Sequence, residues 1–388
     1  MKKHRIALTV LLLLGCSTLS IKAEQTDEYQ EGFLTYYLNK GIEKAMDTSD
    51  NDDVLSYGRH VTQYVSPPKF GGYIVGKYSY SSKDNADANS FDCRFVRVYV
   101  SGTVLRDFKY RIQLELRNTP SMRDYTLEWV RFKEFQVKVG QFKRCFSYEN
   151  PMNPWDVGLG NYSQLAQRMT ALGAEDCSGE IAQNGRDLGI QFQGDLFPVG
   201  KDHHRLIRYQ AAVYNGNGQN KKDNNKQKDL IGNIQVQPIK DLYIGLFGWT
   251  GTFTGTNGVS VKRHRWALSG IYEHNDWSIR AEYAHHTGRN VNDFDTKTNT
   301  WTAGSSDKAD AWYVLVGVPV TPWLKIYGSY DVYRKTATWD SMCSIYRICP
   351  NFQLHRNLMF QVQYNYVNDR MATDRNYHEL WAQAWVRF

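Results

Sequence analysis

Past its opening residues the chain has no continuous apolar run approaching the ~18 to 20 residues of a membrane-crossing helix, so a helical membrane protein is excluded. No CxxC pair is present, so a zinc or dithiol centre has no ligand frame. Of six cysteines, Cys93, Cys145, Cys177, Cys343 and Cys349 lie beyond the first twenty residues. They are too scattered for a disulfide framework, although Cys343 and Cys349 are close enough in sequence to close a small loop in an oxidising compartment. There is no GxSxG elbow and no GxxxxGK[ST] phosphate loop, and "GNGQN" lacks the strand–turn–helix context of a dinucleotide site. Charge of one sign is scarce too. The formal +7 falls to +3, 43 basic against 40 acidic residues, once Lys2, Lys3, Arg5 and Lys22 are set aside. That is too small an excess to imply nucleic acid. His203–His204 and His285–His286 are adjacent pairs whose members would point to opposite faces of a strand, which reads as polar turn histidine rather than metal ligation. No enzyme, cofactor, metal or catalytic residue is expected.

What is present begins with a leader. "MKKHR" is basic, "IALTVLLLLG" is apolar, and "SIKA" ends on a small residue, which predicts a secretory signal over 1–23 with cleavage after Ala23. A rival reading takes "LLGC" as a lipoprotein box with Cys16 lipidated. Residues 24–65 are polar and acidic ("TSDNDD"), with a short amphipathic helix expected around Phe33 to Met46, and read as a periplasmic segment.

From residue 66 the texture is uniform. Aromatics are heavy, with 26 Tyr, 17 Phe and 11 Trp, yet the mean hydropathy is −0.57 because apolar residues are dispersed singly. In "FKYRIQLELR", Phe108, Tyr110, Ile112, Leu114 and Leu116 alternate with Lys109, Arg111, Gln113, Glu115 and Arg117. Period-two alternation is a strand signal. Sixteen such segments follow one another, the first over about 70–81 and the last over about 378–388. Their connections alternate between short ("PIK", "HND", "TP") and long, as at 146–185, 217–228 and 289–309. An even strand number, short turns at one end and long loops at the other predict an all-β fold: a closed antiparallel transmembrane barrel of 16 strands spanning 66–388. In lipid a closed sheet pairs every backbone group and leaves no edge. Trp266, Trp277, Trp312, Trp323 and Tyr327 are then expected in interfacial girdles.

The stretch "VKVGQFKRCFSYEN" (Val137 to Asn150) resembles the phosphate-selective porin O and P family, in which a strand ending Gly-Gln-Phe-Lys is followed by Pro-Phe-Ser-x-Glu-Asn. Gly140, Gln141, Phe142, Lys143, Phe146, Ser147, Glu149 and Asn150 match. "GRDLGIQFQG", "AAVYNGNGQN", "IQVQPIKDLYIGLFGW" and "IRAEYAH" are similar in the same order. The resemblance implies a trimeric outer-membrane diffusion channel of a Gram-negative bacterium with basic lumen residues favouring anions. Its implied partners are outer-membrane lipid and lipopolysaccharide, the barrel-assembly machinery, two further copies of the chain and small anionic solutes. Cys145 stands where the pattern often has proline, and Ser329 where a basic residue is expected, so phosphate selectivity stays open. A barrel with a mainly structural or assembly role is the alternative.

With apolar faces turned to lipid, the candidate pore-lining basic residues are Arg97, Lys109, Arg111, Arg117, Lys138, Arg208, Arg265 and Arg280, joined by Lys143 and Arg144 at the base of the longest loop. Basic rings lower the entry barrier of anions. Glu115, Glu128, Asp187, Asp195, Glu282 and Asp331 are expected inward as well. The 146–185 loop is the expected constriction, with Asn150, Trp155 and Arg168 as its candidates and a short helix in "YSQLAQRMTAL". In the closing "HELWAQAWVRF", Leu380, Ala382, Ala384, Val386 and Phe388 form the expected lipid row. Trp385 and Phe388 are read as an assembly signal.

Overall fold

In a computed structural model, residues 65–83, 89–181 and 184–388 are described. The expected leader, the Cys16 alternative, residues 24–64 and the helix around Phe33 to Met46 lie outside them. Val65–Phe388 forms one unit.

Its sixteen barrel strands are β1 (Lys69–Ser81), β2 (Asn89–Val104), β3 (Phe108–Glu115), β4 (Ser121–Trp129), β5 (Gln136–Lys143), β6 (Arg186–Val199), β7 (His204–Tyr214), β8 (Asp229–Ile239), β9 (Leu242–Thr254), β10 (Ser260–His274), β11 (Trp277–Thr287), β14 (Lys308–Thr321), β15 (Leu324–Arg334), β16 (Met342–His355), β17 (Leu358–Asp369) and β18 (Asn376–Arg387). Between β11 and β14, a two-residue hairpin, β12 (Phe294–Asp295) and β13 (Thr300–Trp301), stands on a long loop. Every barrel strand pairs antiparallel with its neighbour, and β18 closes on β1. At that seam Gly72 N donates to the Phe388 carbonyl at 2.9 Å and Phe388 N to the Gly72 carbonyl at 3.0 Å.

Alternation fixes which side chains face out. On β1, Ile74 is 47% exposed while its neighbours Tyr73 and Val75 are 4% and 0%. On β18, Leu380, Val386 and Phe388 point outward, and Gln383 and Trp385 are buried within. Strand ends joined by short turns use the conformations such turns demand. Asn275 and Asp276 both have positive φ between β10 and β11, the mirror-image turn that matches strand twist. Trp266, Trp277 and Trp323 are about half exposed on the outer face, as girdle residues would be. Tyr327 is a correction: it lies on the inward row of β15 and is buried under the long loop.

The cysteine expectation is also corrected. Cys343 and Cys349 both sit on β16, six residues and about 20 Å apart along an extended strand, beyond the ~7 Å that a disulfide bridges. All five cysteines among the described residues are free.

Candidate functional site

The loop joining β5 to β6 does not project from the rim. It folds into the barrel, where Val157, Leu159, Leu165 and Met169 are buried and helix α1 (Gln164–Thr170) packs against β11, β14 and β15. The path follows from its residues. Pro151 and Pro154 cannot continue a ladder. Ser163 caps α1, its hydroxyl accepting from Ala166 N at 3.1 Å. Gly158, at φ +88°, lies against Tyr327 so closely that a Cβ would come within 2.4 Å of the ring.

The matched residues of "FSYEN" are the loop's anchors. Asn150 Nδ2 donates to the carbonyls of Arg144 (2.8 Å) and Gly185 (3.2 Å), tying the two ends of the loop together. Glu282 on β11 accepts from Ser147 Oγ and from the backbone amides of Tyr148 and Glu149. The Glu149 carboxylate accepts from the amide and hydroxyl of Ser163 at the start of α1. Burial pushes the Glu149 carboxyl above its usual range, against the opposing pull of Ser163. Further along, Gln164 N donates to Asp331 (2.8 Å), Asn351 to the Gly158 carbonyl (2.8 Å), and Gly160 N to Gln363 (2.6 Å).

A buried ion network holds the returning arm. Arg144 bonds Glu180 (2.7 Å) and Asp187 (2.8 Å), Arg263 bonds Glu180 (2.6 Å) and Asp229 (2.5 Å), and Arg265 bonds Asp176 (2.6 Å). All three guanidinium groups lie within 5.0 Å of the Trp249 ring centroid. Arg144 and Arg265 are therefore corrected as pore-lining residues: they are nearly or fully buried and neutralised behind the loop. Arg280 is buried in the same manner, bonding Glu273 and the carbonyls of Asp156 and Val157. Asn150, fully buried, is a clamp rather than a constriction residue. Burial pushes the Cys177 thiol on this arm up to about 11, which makes it inert at neutral pH.

What stays open lies between the loop and the wall. One chamber of about 330 Å³, between residues 151–154 and the wall around β1 to β7, is lined by Arg97, Arg111, Lys138, Lys143 and Arg186, with Asp124 the single carboxylate lining it among the described residues. Arg97 pairs with Glu115 (2.7 Å), Arg186 with Asp124 (2.8 Å) and Lys138 with Glu128 (3.8 Å). Arg111 stacks on Tyr99 at 4.0 Å, and Lys143 Nζ donates to the Met152 carbonyl and to Tyr162 Oη. Neither has a carboxylate within 4.0 Å among the described residues. Lys109 lies nearer the short-turn end. Arg117 pairs with Asp92 (2.5 Å) and Arg208 with Asp195 (2.6 Å). A second chamber of about 600 Å³ against β10, β11 and β14–β17 is lined by Trp155, Asp156, Glu273, Arg280, Lys325 and their neighbours, of mixed charge. Trp155 thus borders open space, packed edge-on to Trp385 at 5.9 Å. Arg168 sits higher, over Tyr333 and bonded to the Glu175 carbonyl.

Several lumen cations escaped the sequence reading, among them Lys325, Arg94 and Arg186. A β-bulge in β2 breaks the alternation at Arg94 and turns it inward. Arg186, the first residue of β6, reaches past β5 to Asp124. The histidines have other partners: His286 is bonded to Arg265 and the Gly288 carbonyl while His285 faces out beside Trp266, and His204 bonds Asp202 in a turn. Among the described residues no cluster of three metal-ligating side chains is present.

Residues 72–241 match the family model described as Phosphate-selective porin O and P, so over that stretch the resemblance read from the sequence holds. No curated protein matches the chain. Among solved structures, an anion-selective porin from Comamonas acidovorans aligns with TM-score 0.62 at 12% identity, over 83% of this chain and 99% of its own. The outer membrane channel DcaP of Acinetobacter baumannii aligns at 0.59 and 10%, over 84% and 98%. The trimer form of OmpT from Vibrio cholerae aligns at 0.57 and 13%, over 83% and 99%. At such identities the likeness is one of fold: a closed 16-stranded antiparallel barrel of the porin type.

Proposed function

We propose that the chain is an outer-membrane porin, a water-filled channel for passive diffusion of small hydrophilic solutes, with a preference for anions. One observation carries the preference: among the described residues, the chamber beside the loop presents five basic side chains against one carboxylate, and two of the five, Arg111 and Lys143, have no acidic partner there within 4.0 Å. In a narrow lumen with low-dielectric walls such an excess raises local anion concentration and lowers the anion entry barrier. The whole-chain charge is nearly balanced, so it is the placement of charge that selects.

The family match and the barrel fold support the outer-membrane location, and the basic leader before an apolar stretch supports export through a cleaved signal. Porin-type barrels that assemble as trimers support a homotrimer here. Lipid and lipopolysaccharide around the apolar belt, and the barrel-assembly machinery acting on β18, complete the expected partners.

Reversal potential in a potassium chloride gradient across a planar bilayer tests the reading. An anion-selective potential is expected. A cation-selective one would overturn the preference, and the absence of ohmic conductance from a folded barrel would favour a structural role instead.

A further inference from the structure

Between the two chambers stands an aromatic partition. Tyr73 lines the basic chamber and Trp155 the other, with Trp385 between them at 6.3 Å and 5.9 Å from their ring centroids. The bulge in β2 lies on its flank. Pairing with β1 passes from Val75↔Phe95 directly to Gly76↔Cys93, which leaves Arg94 without a cross-strand partner and aims its side chain at the partition. Its guanidinium donates to Gln383 Oε1 at 2.8 Å and to Asn161 Oδ1 at only 3.4 Å, and lies 5.5 Å from the Trp385 ring centroid. No carboxylate among the described residues comes within 4.0 Å of it.

Gln361 is the cross-strand partner of Gln383. It is 1% exposed, and among the described residues neither its Nε2 nor its Oε1 has a hydrogen-bond partner. The same is true of the Trp385 indole N–H, which is fully buried two residue pairs along, the next position on the same inward face. Buried polar atoms in proteins nearly always have partners, so three orphans beside an uncompensated guanidinium call for one. Most of the polar groups gathered here share a chemistry. A guanidinium, a carboxamide N–H and an indole N–H are all donors, which is what an oxyanion requires. The one orphan acceptor, Gln361 Oε1, suits a hydroxyl on the same molecule.

We propose that Arg94, Gln361 and Trp385 form a subsite for the oxyanion of a permeating solute that also carries a hydroxyl, and that the solute enters by replacing the long Asn161 contact. The subsite rests on the diffusion-channel reading and adds to it a place where the solute pauses. A hydroxycarboxylate and hydrogen phosphate both meet the requirement; acetate, with no hydroxyl, meets it only in part.

The test is chloride current through the purified full-length protein in a planar bilayer, titrated with glycolate, acetate or inorganic phosphate. In the wild type, glycolate or phosphate is expected to halve the current at a several-fold lower concentration than acetate. Arg94→Gln should raise that concentration about tenfold or more, the usual effect of losing a charged hydrogen-bond partner. Gln361→Leu should abolish the preference over acetate, and Gln361→Glu should abolish block by supplying Arg94 with its own carboxylate. Block by phosphate and not glycolate assigns the subsite to inorganic phosphate; the reverse assigns it to hydroxycarboxylates. If Arg94→Gln does not give a heat-modifiable barrel, the two Gln361 variants decide. Wild-type block in every folded variant, or no block by any of the three anions in a conducting wild type, overturns the subsite. A wild type that does not conduct chloride overturns the channel reading instead.

Discussion

Asn150 and Gly185 stand face to face at the root of the inward loop: the amide of one donates to the carbonyl of the other at 3.2 Å, and a Cβ on Gly185 would lie 2.0 Å from Asn150 Oδ1. Asn150→Ala orphans the buried Arg144 carbonyl, at about 1–3 kcal/mol, and leaves the Gly185 carbonyl with its bond from Arg144 N alone. Gly185→Ala forces the same pair apart and strains a backbone at φ +65°. Both should loosen the loop while the barrel persists. Limited proteolysis is expected to nick 150–185 faster, and single-channel conductance to become noisier and larger.

Removal of 155–180 takes out α1 and the arm that fills the lumen. Conductance should rise severalfold, because what remains is an open barrel. A conductance equal to that of the full chain would mean that the loop does not limit the pore.

Selectivity should follow the unpaired cations. Arg111→Glu with Lys143→Glu reverses two charges in the basic chamber, and the reversal potential should move toward cation preference. Arg144→Gln, a change behind the loop, should move it far less. Comparing the two in one salt gradient separates lining charge from buried charge.

The network on Trp249 gives a stability prediction. Arg263→Met leaves Asp229 and Glu180 short of a buried partner, a loss of about 3–5 kcal/mol. The temperature at which the folded band converts to the unfolded band on a gel should fall.

Protonation gives a fifth handle. Burial holds the Glu149 carboxyl above its unfolded value, so its contribution is full below the unfolded pKa and is lost as pH rises through the folded one. Docking of the loop should weaken with rising pH, read as faster amide exchange over 154–170. Glu149→Gln, which keeps a carbonyl oxygen to accept from Ser163 and removes the titration, should flatten that dependence.

Much of this architecture was legible in the chain. Alternation such as that of "FKYRIQLELR" placed all sixteen strands, because lipid on one side and water on the other imposes a strict period of two. The contrast of short and long connections placed the inward loop. Individual site residues were less legible. Arg94 escaped because a bulge shifts the alternation locally, and Tyr327 was misplaced because a tyrosine suits a girdle and a lumen equally well. Arg144 and Arg265 read as lining because parity reports only which face a residue takes. Whether that face is open or covered depends on carboxylates 36 to 89 positions away in sequence, and those pairings emerge only in three dimensions.

The seam between Gly72 and Phe388 has a topological consequence. Since the first and last strands are neighbours, the order of strands around the barrel is a cycle, and the chain is one of sixteen ways of cutting it. Joining residues 66 and 388 by a short linker and opening the chain at the Gly200–His203 turn would keep every strand pair, every inward side chain and the loop anchored where it is. Only the strand that completes the barrel would change.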